Sequence, residues 1–262
     1  MSEATSRYNV PGLERGLRLL QLFDRTRRRL TAAEMARGLE IPRSTAFRLA
    51  QTLESLGFLE RDGDTYRIGA GVLRLGFEYI ASLEIAELGR PVIEQLRDAT
   101  ELSAQLVIRD RREVVVVLKA SPPSTFVSSV TVGTRMPAHA TILGRILLGD
   151  LDDAALRALY PEAALPQVSA HAPRTLAELK RLVHEDHARG HAVSESFFEQ
   201  GICAVAAPVR DHSGHIVAAV SITAQRPNLE PAALRERLVA QVCASAAELS
   251  RRLNYRPAEA AA

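Results

Sequence analysis

Arg43, Ser44, Thr45, Arg48 and Gln51 gather five hydrogen-bonding side chains within nine residues, with Phe47 among them. At helical spacing Ala46, Leu49, Ala50, Leu53 and Leu56 fall on the other side, which is expected to face a core. The outer arc holds side chains able to reach base edges and phosphates, and they concentrate in the N-terminal half, where such helices meet a major groove. Arg48 and Gln51 are the best placed for those contacts. Any short amphipathic helix has a polar face, so the weight comes from the order of elements around it.

Those elements are readable on both sides. Leu13, Leu17, Leu20 and Phe23 give a first helix an apolar face, and Arg27-Arg28-Arg29 breaks the pattern as a solvated loop. A second helix starts at Thr31, with Glu34 at the spacing of a capping box. Gly38 and then Ile41-Pro42 are expected to end it, because the residue before proline avoids helical geometry. After the third helix, Gly57–Ile68 alternates around Asp62-Gly63-Asp64 and predicts a two-stranded wing. Arg61 and Arg67 stand where a wing touches phosphates, or are ordinary exposed strand residues.

Beyond the wing, Val72, Leu73, Leu75, Gly76, Phe77 and Ile80 make a short helix too apolar for one small domain to cover, so a partner surface is expected. Leu83–Thr100 reads as a helix with Pro91 near a break or early turn. Ala104–Ile108 and Val114–Lys119 are strands around a charged hairpin, and Phe126–Val132 reads as a third. Ala138–Leu148 and Thr175–Arg189 are expected helices, the latter with its own capping box from Thr175 to Glu178. Ile202–Val209 and His215–Thr223 are strands, and Pro231 opens a last helix to about Leu253. Hairpins with interspersed helices predict an α+β domain on a largely antiparallel sheet.

Composition narrows the function classes. The 262 residues are 47% apolar and 24% charged, with no run approaching a membrane span and no signal-like N-terminus, so no membrane partner is expected. Two cysteines, Cys203 and Cys243, exclude a disulfide framework and fit a cytoplasmic location. Residues 1–69 carry 12 Arg and no Lys against 9 acidic residues, whereas the remainder holds 21 basic and 22 acidic. The positive excess therefore sits with the candidate groove-binding unit.

Taken together, the chain resembles the IclR family of bacterial transcriptional regulators over nearly its whole length. The residues carrying the likeness are Gly12–Leu17, Ile41–Leu49, Gly133–Thr141 with Gly144, and Gly201–Val209. The resemblance implies a winged helix-turn-helix over 1–69, a linker helix over 70–84, and a GAF/profilin-like effector-binding and oligomerisation domain with an antiparallel sheet over 85–254. Residues 255–262 are expected to be a disordered tail. The partners implied are double-stranded operator DNA, a small organic-acid effector, and further copies of the chain as a dimer or dimer of dimers.

The family's effector sits against the helix after the Pro-x-His-Ala motif, which places His139 and Thr141 beside it and brings in the amides of Ile142 and Leu143. Amides at a helix start have a physical basis for holding an anion. Ser221 and Thr223 match the family's pocket hydroxyls, and their alternation puts them on one strand face. Ser194 stands where the family commonly has an acid, with Glu195 beside it, and Ala204 occupies a position that can be cysteine. The bulk of Ile142-Leu143 and the nearby Phe197-Phe198 favour a larger, partly apolar effector such as an aromatic acid.

Other residues have plainer readings. His184, His187 and His191 invite a metal, but Gly190 is expected to end their helix and take His191 off the face, so neither metal nor cofactor is expected. His139 reads as a structural hydrogen-bonder and Cys203 as a small core residue. An enzyme with an appended DNA-binding module is the alternative; it would need a nucleophile and base from residues such as His139, Cys203 or Glu195. The expectation is a regulator without catalysis, more often a repressor than an activator.

Overall fold

The capping box at Thr31 forms in full in the computed structural model, which describes residues 9–24, 26–81, 84–123, 130–195, 201–225 and 232–256. Thr31 Oγ1 accepts from Glu34 N at 3.3 Å, and Glu34 Oε2 accepts from Thr31 N at 2.7 Å. The chain divides into two compact units, Met1–Ser82 and Leu83–Ala262.

In the first unit, α1 (Pro11–Leu20), α2 (Ala32–Leu39) and α3 (Arg43–Ser55) pack over a small sheet of β1 (Leu30–Thr31), β3 (Thr65–Ile68) and β2 (Leu59–Asp62), in that order. The strand β1 completes a sheet expected to have two strands; it pairs Leu30 with Tyr66. Leu19, Met35, Ala46, Ala50, Leu59 and Tyr66 form the core. Three expectations need correction. The inward stripe of α1 is Gly16 and Leu19, flanked by Leu20 and Phe23, whereas Leu13 and Leu17 are 63% and 51% exposed. They lie about 90° round the helix from the buried direction, so the 13–17–20–23 series mixed two faces.

Gly38 does not end α2; it lies inside it, where a Cβ would meet Leu22 Cδ2 at 3.0 Å, and Glu40 in left-handed geometry closes the helix. Leu56 is exposed because α3 stops before it. Gly57, at φ +77°, donates to Glu54 O while Phe58 donates to Leu53 O, a Schellman closure. The final element of this unit is α4 (Gly71–Ala81).

The second unit carries a six-stranded antiparallel sheet ordered β6-β5-β4-β9-β8-β7. Its strands are β4 (Ser103–Asp110), β5 (Glu113–Ala120), β6 (Arg135–Pro137), β7 (Ala192–Glu195), β8 (Ile202–Arg210) and β9 (Ile216–Gln225). The helices α5 (Glu84–Thr100) and α9 (Ala232–Arg252) pack on one face; α6 (Ile142–Leu147) lies on the other, backed by α8 (Leu176–Arg189), against which α7 (Asp153–Leu159) also packs.

Pro91 sits inside α5 without breaking it. Residues 130–132 of the expected third strand are not strand, the rest of it lies outside the described residues, and the edge strand is Arg135–Pro137 instead. The expected 138–148 helix is a 3-10 turn, Ala138–Ala140, then α6, because Thr141 is extended at φ −129° and caps the second piece. Only half of the Thr175 box forms: Glu178 N reaches Thr175 Oγ1, but the Glu178 carboxylate takes Arg174 N. Gly190 ends α8 in left-handed geometry as expected. Pro231, Phe197-Phe198 and residues 257–262 lie outside the described residues.

Candidate nucleic-acid interface and effector site

The outer arc of α3 forms as a surface. Arg43, Ser44, Phe47, Arg48 and Gln51 are exposed, and Thr45 is half-buried at its edge. The side chains of Arg43, Arg48 and Gln51 make no hydrogen bond or ion pair among the described residues, so their donors are available. The wing differs. Arg61 donates to Gly63 O at 2.9 Å and stands 5.8 Å from the Tyr66 ring centre. Arg67 grips Glu60 Oε2 through Nε at 2.9 Å and Nη2 at 2.6 Å, its direct cross-strand neighbour. That exposed pair is weak, but a phosphate must compete with it. Between the start of α2, residues Arg43, Ser44 and Phe47 of α3, and Arg61, Asp64 and Tyr66 of the wing lies an open cleft of about 570 Å³.

Gly69 and Gly71 set the wing against α3, since a Cβ on either would stand 2.5 Å from Gly57 O. Only glycine permits that approach, and Gly71 N donates to the same carbonyl at 2.9 Å.

In the second unit, strand register gathers a polar end on one sheet face. Thr223 lies between Ser103 and Ala204, and Ala204 is paired in turn with Ser194. One row along, Ser221 lies between Gln105 and Ala206, with Lys119 beyond Gln105. Directly paired residues share a face, and so do residues two apart on a strand. Ser194, Ala204, Ser221 and Thr223 are thus brought together. Ser103, Gln105 and Lys119 join them, although the sequence did not single these out; the period-2 placement of Ser103 and Gln105 in an apolar strand was the available signal.

Farther along the same face the row turns apolar through Val107, Ala206 and Ala219, and Ile142 and Leu143 of α6 pack into that cluster. Ser103, Gln105 and Ser221 are buried, and Ser221 Oγ has no hydrogen-bond partner among the described residues. Lys119 is half-buried and donates to Val130 O at 2.5 Å.

His139 and Thr141 are buried, but their polar atoms hold the approach to α6. His139 Nε2 lies 2.9 Å from Pro166 O, with its ring edge-on to Tyr160. Thr141 Oγ1 accepts from Gly144 N at 3.0 Å, so Ile142 and Leu143 carry the amides without an intrahelical acceptor. A Cβ on Gly144 would stand 1.9 Å from Ala138 O, which fixes how tightly the turn folds under α6. Arg145 and Asp186 form a buried ion pair at 2.7 Å that bolts α6 to α8. Burial raises the Asp186 carboxyl above its ordinary pKa despite the opposing pull of Arg145. Glu195 ends β7, and its side chain lies outside the described residues.

Cys203 lies on the other sheet face, paired with Ala224 and buried. No histidine or acid stands on the polar rows among the described residues. Nor do those residues contain a group of three metal-binding side chains, or a helix long and apolar enough to cross a membrane.

Comparison with known proteins agrees in both units. The Pca regulon regulatory protein of Pseudomonas putida is 30% identical over 93% of this chain and 84% of its own length. An IclR transcriptional regulator of Alicyclobacillus acidocaldarius superposes with a TM-score of 0.81 at 27% identity, covering 94% of this chain and all of that one (100%). An IclR homologue of Microbacterium hydrocarbonoxydans, solved with 4-hydroxybenzoate, shares the fold with a TM-score of 0.80 at 23% identity, over 93% of this chain and 99% of that one. The IclR helix-turn-helix domain matches residues 12–63 and the bacterial transcriptional regulator IclR C-terminal domain matches residues 77–251. With a helix-turn-helix in one unit and a family match across both, the chain belongs to the IclR family of bacterial transcriptional regulators.

Proposed function

We propose that this regulator binds operator DNA through α3 and the wing, releases or grips it in response to a small organic acid, and represses a catabolic operon. Residues 1–69 are the DNA-binding part, 70–84 the connection, and 85–254 the effector and oligomerisation part. The observation that carries the effector reading is Ser221: a fully buried hydroxyl without a partner among the described residues, in a polar row that ends in Lys119. A buried unpaired hydroxyl is unfavourable, and a ligand oxygen beneath α6 relieves it. Lys119, Gln105, Ser194, Thr223 and the first amides of α6 are the further polar contacts, while Ile142 and Leu143 face an apolar body. That division fits an aromatic acid, and the 4-hydroxybenzoate bound by the Microbacterium relative is of that class.

The effector acts only by binding two arrangements of the regulator unequally. Exposed leucines at positions 13, 17, 73 and 75 support assembly with further copies. No observation favours the enzyme alternative.

The test is a thermal-shift titration of the full chain with benzoate, 4-hydroxybenzoate, pyruvate and glyoxylate, repeated on Arg48→Ala. The aromatic acids are expected to raise Tm in both proteins, and Arg48→Ala to lose operator retention in gel shifts. A chain whose Tm ignores every acid defeats the effector reading. An Arg48→Ala titration that overlays the parent's on DNA defeats the assignment of α3.

A further inference from the structure

Phe47 is the only large apolar side chain exposed within α3, with 36% of its surface open. The rest of the ring helps wall the cleft shared with Ala32, Ala33 and Tyr66, so the phenyl is backed rather than free. Its neighbours on the outer arc are all polar: Ser44 one turn back, Arg48 beside it and Gln51 one turn on. Phosphates and the hydrogen-bonding edges of bases need donors and acceptors, and a phenyl supplies neither. An aromatic edge held in water among donors is unfavourable unless an apolar group meets it. In a major groove, the apolar group on offer is the 5-methyl of thymine.

We infer that Phe47 reads a thymine methyl, so that each half-site requires thymine at the position the ring faces. This rests on the reading of α3 as the groove helix and adds base discrimination by a contact without hydrogen bonds.

The experiment uses the full chain and duplexes that the chain itself selects from a random library. Each thymine is replaced singly by deoxyuridine, which keeps every hydrogen-bonding edge and removes only the methyl. At one position per half-site the parent is expected to bind the uracil duplex about fourfold more weakly, the effect of one buried carbon. Phe47→Ala should bind the thymine and uracil duplexes equally, at about the parent's affinity for uracil. Phe47→Leu should keep part of the discrimination.

Equal weakening of both duplexes by Phe47→Ala, with the parent's thymine-to-uracil ratio intact, places the ring on a sugar and overturns the inference. So does a parent indifferent to every replacement. Melting temperature and binding to random DNA report whether Phe47→Ala is folded; if it is not, the ratio measured for Phe47→Leu decides, and a ratio equal to the parent's overturns the inference. A parent that selects no sequence removes the groove-helix reading itself, whereas one that selects but ignores the methyl removes only the role of Phe47.

Discussion

Ser221 separates stability from binding in a way few side chains do. Its hydroxyl is fully buried and has no partner among the described residues, so it carries a desolvation penalty that alanine removes. Ser221→Ala is expected to raise stability to unfolding by about 1 kcal/mol, and at least not to lower it. The same variant should lose most of the Tm shift given by aromatic acids. A destabilised Ser221→Ala with an undiminished ligand shift would show that the hydroxyl serves the core alone. At this scale the sequence was partly legible. Ser221 and Thr223 stood out because a motif resemblance pointed to them. Gln105 and Lys119 did not, since a lone polar residue in a strand looks like any exposed position until β4 is known to lie between β5 and β9. Arg67 shows the converse: its type left open a phosphate contact or an ordinary exposed strand position, and its cross-strand partner Glu60 holds the guanidinium, so a phosphate must compete for it.

At the scale of elements, α6 matters most, because it packs on the sheet face that carries the polar rows and is fastened at two adjacent residues. At its start, Gly144 passes so near Ala138 O that any side chain must push the 3-10 turn away. Gly144→Ala is expected to destabilise toward the upper end of about 1–3 kcal/mol, since the obstacle is backbone rather than a movable side chain. At the next residue the Arg145–Asp186 pair ties it to α8. Replacing Arg145 by Met leaves buried Asp186 with only the half-exposed Arg189, 3.4 Å from Oδ1, and raises its folded pKa further above the unfolded value. For an acid, a raised folded pKa contributes stability at low pH that is lost as pH climbs from the unfolded pKa through the folded one. The deficit of Arg145→Met should thus be smallest near pH 4 and grow toward pH 7, where it approaches about 3–5 kcal/mol. Urea unfolding at the two pH values checks this, and a deficit that ignores pH would mean that Asp186 is not the responding group. The length of α6 could not be read from the sequence. Apolar periodicity runs unbroken from Ala138 to Leu148, and only the extended Thr141 divides it.

Across the whole molecule, local signals proved readable and long-range ones did not. The order helix, capped helix, polar-faced helix, hairpin is written in short-range patterns, which is why the first unit could be anticipated almost element by element. The sheet order of the second unit could not, because β4 pairs with β9, more than a hundred residues away, and no local pattern specifies that partner. The α1 error has a related source. Leu13 and Leu17 looked like core because they are leucines at helical spacing, yet the fold leaves them open, together with Leu73 and Leu75 of α4. Large exposed leucines gathered in the DNA-binding unit are unfavourable in an isolated chain and are covered if two copies join there. Joined copies present two groove helices, and the second contact becomes intramolecular, worth roughly 100-fold or more in avidity. Leu73→Asp combined with Leu75→Asp is therefore expected to sediment as a smaller species than the parent and to lose at least that factor in operator affinity. Its Tm shift with aromatic acids should persist, because the polar rows lie in the other unit. A double variant with the parent's sedimentation and operator affinity would move the assembly surface elsewhere, and the same pair of measurements on Leu13→Asp with Leu17→Asp would then locate it.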